Sequence, residues 1–283
     1  MDLDHLAWLR HEPGGHEWLD ALPELIRTIA SDWSLTLGEP YSAAHVSFAV
    51  PVRRGDDSDA VLKVQFPHRE CAHEAEALRR WNGDGAVALL DCDADRHALL
   101  LERCDPGTHL ASLDGPAALD VLVGLVPRLW LPADDPFDSL ADEAAMWIEH
   151  LQDRRRSGGV AIDLAEVAIG LLRELGPSQP ESVLLHQDLH GDNVLAATRE
   201  PWLVIDPKPL VGERVFSVAP IVRSIELGDT RTDVLYRLDR LCADLELDRD
   251  RARGWTIAQT VAWRSDSMQP EWGDQFVRWL LDA

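Results

Sequence analysis

The stretch His186-Gln-Asp-Leu-His-Gly-Asp-Asn-Val-Leu195 decides how the rest of this chain is interpreted. It places Asp188 five positions before Asn193, and Asp206 follows the apolar run 202–205, which we predict to be a buried strand. Phosphoryl transfer needs a carboxylate that accepts a proton and oxygen ligands that suit Mg²⁺. The loop therefore predicts a phosphotransferase with Asp188 as the base and with Asn193 and Asp206 on the metal. The alternative is an ordinary turn, because Asp, Asn and Gly favour turns.

Short strands are predicted over 46–52, 60–66, 86–90 and 97–103, and the strand over 60–66 carries a lysine that suits phosphate binding. Alternation places Leu62 and Val64 on the main apolar face and Lys63 on the other. The chain has 25 Arg but only two Lys, Lys63 and Lys208. An ammonium and a guanidinium are not interchangeable, so we expect lysine where geometry requires it.

A predicted helix over 68–81 supplies a partner for this lysine. Helical spacing places Glu74 on the apolar stripe of the helix. A carboxylate on such a stripe needs a partner, and Lys63 is the natural one. The alternatives are that Glu74 is solvated at the edge of the stripe, or that Glu70 or Glu76 takes its place.

In these features the chain resembles the aminoglycoside phosphotransferase family, and within it the streptomycin 6-kinase and hydroxyurea-kinase branch. The resemblance is carried by Lys63, Glu74, the 186–193 loop and Ile205-Asp-Pro-Lys-Pro209, and it covers nearly the whole chain. It implies an ATP-dependent kinase with Mg²⁺ that phosphorylates a hydroxyl group of a small molecule, such as a streptomycin-like aminoglycoside, and thereby confers antibiotic resistance.

The resemblance also implies an α+β, protein-kinase-like two-lobed fold. The small N-terminal nucleotide-binding lobe, with an antiparallel sheet and one helix, is expected over 1–104, and the larger, mainly helical catalytic lobe over 105–283. The implied site residues are Lys63 on the phosphates with Glu74 as its partner, the backbone of Glu102 and Cys104 at the adenine, Asp188 as base, and Asn193 and Asp206 on magnesium.

Three departures from the family pattern stand out. Gln187 occupies a position where the wider family usually has glycine. The segment 38–47, where a glycine-rich phosphate loop is expected, contains a single glycine. Ser217 stands where an aspartate commonly braces the catalytic loop. The segment 38–47 and Ser217 keep open a further alternative, a weakly active nucleotide-binding module.

Charge and composition limit the partners. The net charge of −23 opposes binding to nucleic acid and to anionic membranes. It favours a cationic substrate, although it also fits a role in solubility or a saline habitat. Acidic candidates for contacting such a substrate are Glu271 and Asp274 near the end of the sequence, and Asp134, Asp135 and Asp138 after Trp130. The alternative acceptors are hydroxyurea or a sugar-like metabolite.

The start of the chain lacks the features of a signal peptide, and no apolar run is long enough to span a membrane. The four cysteines form no C-x-x-C pair, which favours reduced thiols over disulfides. We therefore expect a cytoplasmic enzyme, with no obligatory protein partner evident.

Overall fold

A computed structural model describes residues 3–42, 46–263 and 270–283, with the side chains of Pro270 and Glu271 excepted. The chain divides into two compact units. The first contains Met1–Gly107 with Ala196–Leu203, and the second contains Thr108–Leu195 with Val204–Ala283. No helix in the described ranges is long and apolar enough to cross a membrane.

The first unit is built on a five-stranded antiparallel sheet with the strand order β1-β2-β3-β5-β4. Its helices and strands are α1 (Gly15–Asp32), β1 (Thr36–Leu37), β2 (Ser47–Arg53), β3 (Asp59–Gln65), α2 (Glu74–Trp81), β4 (Leu89–Asp93) and β5 (Ala98–Glu102).

The strand patterns explain which side of this sheet is buried against α1. Phe48 and Val50 of β2 and Leu62 and Val64 of β3 alternate into one core, where they join apolar residues of α1 such as Ile26. Burial of a side chain of this size contributes about 1.5–3 kcal/mol. The opposite face of β3 therefore remains for polar residues.

Two predicted elements differ from the observed ones. The predicted helix over 68–81 is a 3₁₀ turn at Arg69–Cys71 followed by α2, because His73, with φ −117° and ψ 13°, leaves the helical conformation. The predicted strand over 86–90 is observed as β4, which begins three residues later. As an edge strand it continues its pairing with β5 through polar residues, so the apolar run does not mark its bounds.

The second unit is mainly helical. Its helices are α3 (Gly115–Leu129), α4 (Leu140–Ser157), α5 (Ile162–Leu175), α6 (Val218–Val222), α7 (Arg231–Asp244), α8 (Arg249–Ala262) and α9 (Pro270–Leu281). Helix α8 packs against α4, α5, α6, α7 and α9, and every residue from Gly254 to Ala262 is buried. It is therefore the central helix of this unit.

Two short antiparallel pairs carry the segments of chemical interest. They are β6 (Val183–Leu185) with β9 (Leu210–Gly212), and β7 (Val194–Ala196) with β8 (Trp202–Val204). The predicted strand over 202–205 is observed as β8. The tip of the β7–β8 hairpin belongs to the first unit.

Within the first unit, Arg199 fastens this hairpin tip. Its guanidinium donates to both carboxylate oxygens of Glu102 at 2.9 Å and to the carbonyl oxygens of Gly83 at 2.7 Å and Ala86 at 3.0 Å. A bidentate, charge-assisted contact of this kind fixes orientation as well as contributing energy. Arg199 therefore holds the hairpin tip to the rest of the first unit through four acceptor atoms, and the hydroxyl of Thr198 adds a bond to the carbonyl oxygen of Asp105 at 2.9 Å.

Candidate active site

The loop 186–193 and the segment 205–208 are held side by side by backbone hydrogen bonds. The amide of Ile205 donates to the carbonyl oxygen of Asn193 at 2.9 Å, and the amide of Lys208 donates to that of His186 at 3.0 Å. Asp206 lies between these two contacts and adopts a positive φ of 58°. The two segments that carry the predicted metal ligands are thus neighbours in space.

His186 anchors the loop as a neutral side chain. It is buried, its Nε2 donates to the carbonyl oxygen of Ile205 at 2.9 Å, and its Nδ1 accepts from the amide of Asp188 at 3.3 Å. Burial lowers the pKa of His186 to about 4. The imidazole is therefore uncharged near neutral pH and holds one tautomer, which suits positioning.

Gln187 has a positive φ of 64°, a conformation that glycine adopts with less strain. This explains why the family commonly has glycine there. The side chain of Gln187 donates to Glu143 at 3.4 Å, and its backbone carbonyl accepts from Gln259 of α8 at 3.0 Å. Contacts from two other helices thus stabilise the strained residue beside Asp188.

The carboxylate of Asp188 lies between two cations. Its Oδ2 is 3.1 Å from the Nζ of Lys208, and its Oδ1 is 3.6 Å from a guanidinium nitrogen of Arg223. Burial raises the pKa of Asp188, but Lys208, Arg223 and His190 together outweigh burial and hold that pKa below its ordinary value. Asp188 is therefore ionised at neutral pH, as a proton acceptor must be.

Trp263 lies beneath both cations. The Nζ of Lys208 is 4.7 Å from the centre of its ring, and the guanidinium carbon of Arg223 is 5.0 Å from it. Both distances are within the range of a cation–π interaction. Neither Arg223 nor Trp263 was predicted from the sequence, since no motif marks them. For Lys208, the rarity of lysine in this chain was the feature of the sequence that could have indicated a role in the site.

The donor set beside Asp188 fits a hard divalent cation. The side-chain Nδ2 of Asn193 donates to the carbonyl oxygen of Asp188 at 2.8 Å, which fixes the amide and directs its Oδ1 away from that contact. An amide oxygen and the carboxylate of Asp206 are oxygen ligands of the kind that Mg²⁺ prefers. The residues present therefore suit magnesium.

In the first unit, Lys63 and Glu74 form a buried ion pair. The Nζ of Lys63 donates to the two carboxylate oxygens of Glu74 at 2.8 and 2.7 Å. Gln65, on the same face of β3, donates to Glu74 at 2.6 Å. The partner expected from the sequence is thus present, and Glu70 and Glu76 do not take its place.

Glu102, one of the two residues suggested for the adenine, is the last residue of β5, and Cys104, the other, lies two positions later. The side chain of Glu102 also accepts from the amide of Ala88 at 2.9 Å, so it is used within the first unit. Burial raises the pKa of the Cys104 thiol to about 12, and the thiol is therefore protonated. A role of their backbone in adenine binding stays a prediction.

The remaining predicted residues lie elsewhere in the second unit. The hydroxyl of Ser217 accepts from the indole nitrogen of Trp130 at 2.8 Å. Asp274 is half-buried in α9, which packs on α7 and α8. The side chain of Glu271 lies outside the described residues. A role for Glu271 and Asp274 in substrate binding stays a prediction.

Known proteins are similar to this chain in sequence and in fold. The sequence model of the family described as aminoglycoside/hydroxyurea antibiotic resistance kinase matches residues 32–267. Streptomycin 6-kinase of Streptomyces griseus is 39% identical, with 91% of this chain and 88% of that protein covered. Hydroxyurea phosphotransferase of Kitasatospora aureofaciens is 38% identical, with 87% and 73% covered.

Solved structures extend the likeness to the fold. Choline kinase LicA of Streptococcus pneumoniae has a TM-score of 0.65 at 11% identity, with 93% of this chain and 99% of that chain covered. An aminoglycoside phosphotransferase solved with ADP and hygromycin B has a TM-score of 0.59 at 15% identity, with 89% and 97% covered. The fold is thus the α+β, kinase-like one expected from the sequence. This chain is a phosphotransferase and belongs to the aminoglycoside/hydroxyurea antibiotic resistance kinase family.

Proposed function

We propose that this kinase transfers the γ-phosphoryl group of ATP to a hydroxyl group of a streptomycin-like aminoglycoside and so inactivates the antibiotic. The observation that carries the proposal is the similarity to two streptomycin 6-kinases. They are 39% and 38% identical to this chain, of which 91% and 88% are covered. The named kinases and phosphotransferases among the relatives favour an active enzyme over a weakly active nucleotide-binding module.

In the proposed reaction, Asp188 accepts the proton of the acceptor hydroxyl as the hydroxyl oxygen attacks. Arg223 keeps the carboxylate charged and oriented. Asn193 and Asp206 would hold Mg²⁺, which would neutralise charge on the phosphate oxygens. These residues act by position and charge, since phosphoryl transfer requires no bond between the enzyme and the phosphoryl group.

We assign the nucleotide to residues of the first unit. Lys63, oriented by Glu74, binds phosphate oxygens through its ammonium group. The backbone at Glu102 and Cys104 binds the adenine. The buried ion pair of Lys63 and Glu74 supports this assignment, because a buried cation with a fixed direction is suited to an anionic ligand.

Hydroxyurea is a second candidate acceptor. The hydroxyurea phosphotransferase is 38% identical over a similar share of this chain. Overall charge favours the aminoglycoside, since a net charge of −23 attracts a polycation. We assign Glu271 and Asp274 to the binding of such a cation. All four cysteines are free, which supports a reducing compartment such as the cytoplasm.

An acceptor panel tests the proposal. The purified protein is incubated with Mg²⁺ and ATP together with streptomycin, hydroxyurea or sorbitol, and the products are identified by mass spectrometry. The Asp188→Asn variant is the control for catalysis by this site. We expect the wild-type protein to yield phosphorylated streptomycin and the Asp188→Asn variant to yield none. If the protein phosphorylates hydroxyurea or sorbitol but not streptomycin, the proposed acceptor is wrong. Absence of any phosphorylated product would contradict the proposal as a whole.

A further inference from the structure

Lys208 is the lysine that the proposed function leaves without a role. It is one of two lysines beside 25 arginines, and it follows Asp206 by two positions. Its ammonium group lies 3.1 Å from Oδ2 of Asp188. A lysine next to the proton acceptor is within reach of any group that reacts there.

Two cations lie against the carboxylate of Asp188, namely Lys208 and Arg223. His190, which is also nearby, pairs with Glu226 at 3.3 Å. Asp206, two positions before Lys208, is the other carboxylate of this segment and the proposed ligand of magnesium. An ammonium group beside the proposed proton acceptor, two positions from a proposed metal ligand, is suited to meet an anionic phosphoryl group.

Each oxygen of Asp188 has a cation beside it, Lys208 at 3.1 Å from Oδ2 and Arg223 at 3.6 Å from Oδ1. When the carboxylate takes the proton of the acceptor hydroxyl, it loses the negative charge that attracts these cations, and one of the two contacts loosens. The side chain of Arg223 is 14% exposed, whereas that of Lys208 is 26% exposed. An ammonium on a flexible stem also moves more easily than a planar guanidinium. The contact that opens is therefore the one between Lys208 and Oδ2.

The ammonium group of Lys208 can move away from the carboxylate and still keep its contact with the ring of Trp263. The Nζ of Lys208 lies 4.7 Å from the centre of the indole ring. A cation over an indole face keeps a favourable contact that imposes little direction. Lys208 can thus exchange one anionic partner for another nearby.

We propose that Lys208 is a catalytic residue that moves from Oδ2 of Asp188 to the transferred phosphoryl group and neutralises charge on its oxygens in the transition state. This inference rests on the proposed function. The acceptor oxygen forms a bond to the γ-phosphorus, and the bond from that phosphorus to ADP breaks, with its electron pair going to ADP. The hydroxyl proton goes to Oδ2 of Asp188, the position that Lys208 leaves.

Binding of a transition-state analogue tests the inference without turnover. Isothermal titration measures the affinity for Mg·ADP alone and for Mg·ADP with fluoroaluminate, which imitates the phosphoryl group in transfer. The proteins compared are the wild type, Lys208→Met, Lys208→Arg and Arg231→Met. Arg231 is exposed at the start of α7, so its replacement removes one positive charge from the same unit without touching this site.

We expect Lys208→Met to bind Mg·ADP within about threefold of the wild type. The gain in affinity from fluoroaluminate should fall by roughly 10²-fold, the usual effect of removing one group that stabilises transition-state charge. Lys208→Arg should recover part of the gain, and Arg231→Met should keep all of it. Thermal unfolding establishes that each variant is folded, and the partial recovery in Lys208→Arg separates charge from a loss of structure.

A full gain from fluoroaluminate in folded Lys208→Met would overturn the inference and leave Lys208 as a counter-ion of Asp188. Failure of the proposed function has a different signature. In that case the wild-type protein phosphorylates neither streptomycin nor hydroxyurea, while binding of Mg·ADP with fluoroaluminate still reports on Lys208.

Discussion

Gln259 donates from its side-chain Nε2 to the backbone carbonyl oxygen of Gln187 at 3.0 Å, and this contact joins helix α8 to the loop that carries Asp188. Gln259 is fully buried, and Gln187 has a positive φ. Ser217, where the family commonly has a bracing aspartate, contacts Trp130 instead. The central helix of the second unit therefore supplies part of the support for the loop that carries Asp188.

Replacing Gln259 by Met should weaken that support. The carbonyl of Gln187 loses its donor, so we expect the free energy of unfolding to fall by about 1–3 kcal/mol. We also expect kcat to fall more than the affinity for ATP. Chemical denaturation and steady-state kinetics measure the two effects.

The matched control for Gln259 is Thr260→Val in the same helix. The hydroxyl of Thr260 donates to the carbonyl oxygen of Thr256, one turn earlier, so its loss affects α8 and leaves the loop alone. We expect this variant to keep its kcat. An equal fall of kcat in both variants would show that the contact with Gln187 has no special role.

Replacing Asp188 by Asn should lower kcat by roughly 10²–10⁴, the range for a positioned proton acceptor. Asparagine keeps the shape of the side chain but cannot take the proton, so ATP affinity should change little. Asp192→Asn is the control, because Asp192 is exposed in the same loop. Near-normal turnover of Asp188→Asn in stopped or continuous assays would assign the base elsewhere.

Replacing Asp206 by Ala should impair binding of ATP in the presence of Mg²⁺ and turnover together, because the proposed cation would lose one of its ligands. Asn193→Ala should act in the same direction and more mildly, since an amide oxygen carries no full charge. Titration of activity and of ATP binding with Mg²⁺ measures the effect. Full activity of Asp206→Ala at ordinary Mg²⁺ concentrations is the result that contradicts the metal assignment.

Replacing Glu74 by Gln should raise KM for ATP and destabilise the first unit. Removing one partner of a buried ion pair leaves the other uncompensated, at a cost of about 3–5 kcal/mol. The double variant Lys63→Met with Glu74→Gln removes both charges and should recover much of the stability but no ATP affinity. If the double variant stayed as unstable as Glu74→Gln, the two charges would not be coupled as the contact between them implies.

Neutralising Glu271 together with Asp274 should raise KM for streptomycin more than tenfold and leave KM for ATP nearly unchanged. A carboxylate paired with a guanidinium contributes about 1.5–3 kcal/mol, which is enough for this effect. Asp282→Asn, at the exposed end of the chain, is the control for charge alone. An unchanged KM for streptomycin would remove the two residues from the acceptor site.

The proposed site residues could be selected from the sequence because their spacing along the chain is itself part of the chemistry proposed for them. Asp188 and Asn193 share one loop, and the face of β3 on which Lys63 lies follows from the alternation of a strand. Arg223 and Gln259 were not predictable. Arg223 directly follows α6 and Gln259 lies within α8, neither belongs to a motif, and only the packing of α6 and α8 determines which side chains reach the loop.

The bounds of helices and strands also differ in how well the sequence predicts them. The helix expected over 68–81 is interrupted at His73, although its apolar spacing continues across the interruption. Spacing predicts which side chains are buried, as it did for Glu74, but hydrogen bonding of the backbone decides where a helix begins. Local sequence therefore predicted the partner of Lys63 better than the helix that carries it.

Arg199 has a consequence for the order in which the protein folds during its synthesis. The acceptors of its guanidinium, Gly83, Ala86 and Glu102, leave the ribosome long before it does. The amino-terminal sheet is thus released without the side chain that completes it. A fragment that ends at Gly107 would lack this contact, which can form only after translation has passed through Thr108–Leu195 of the second unit and reached the hairpin.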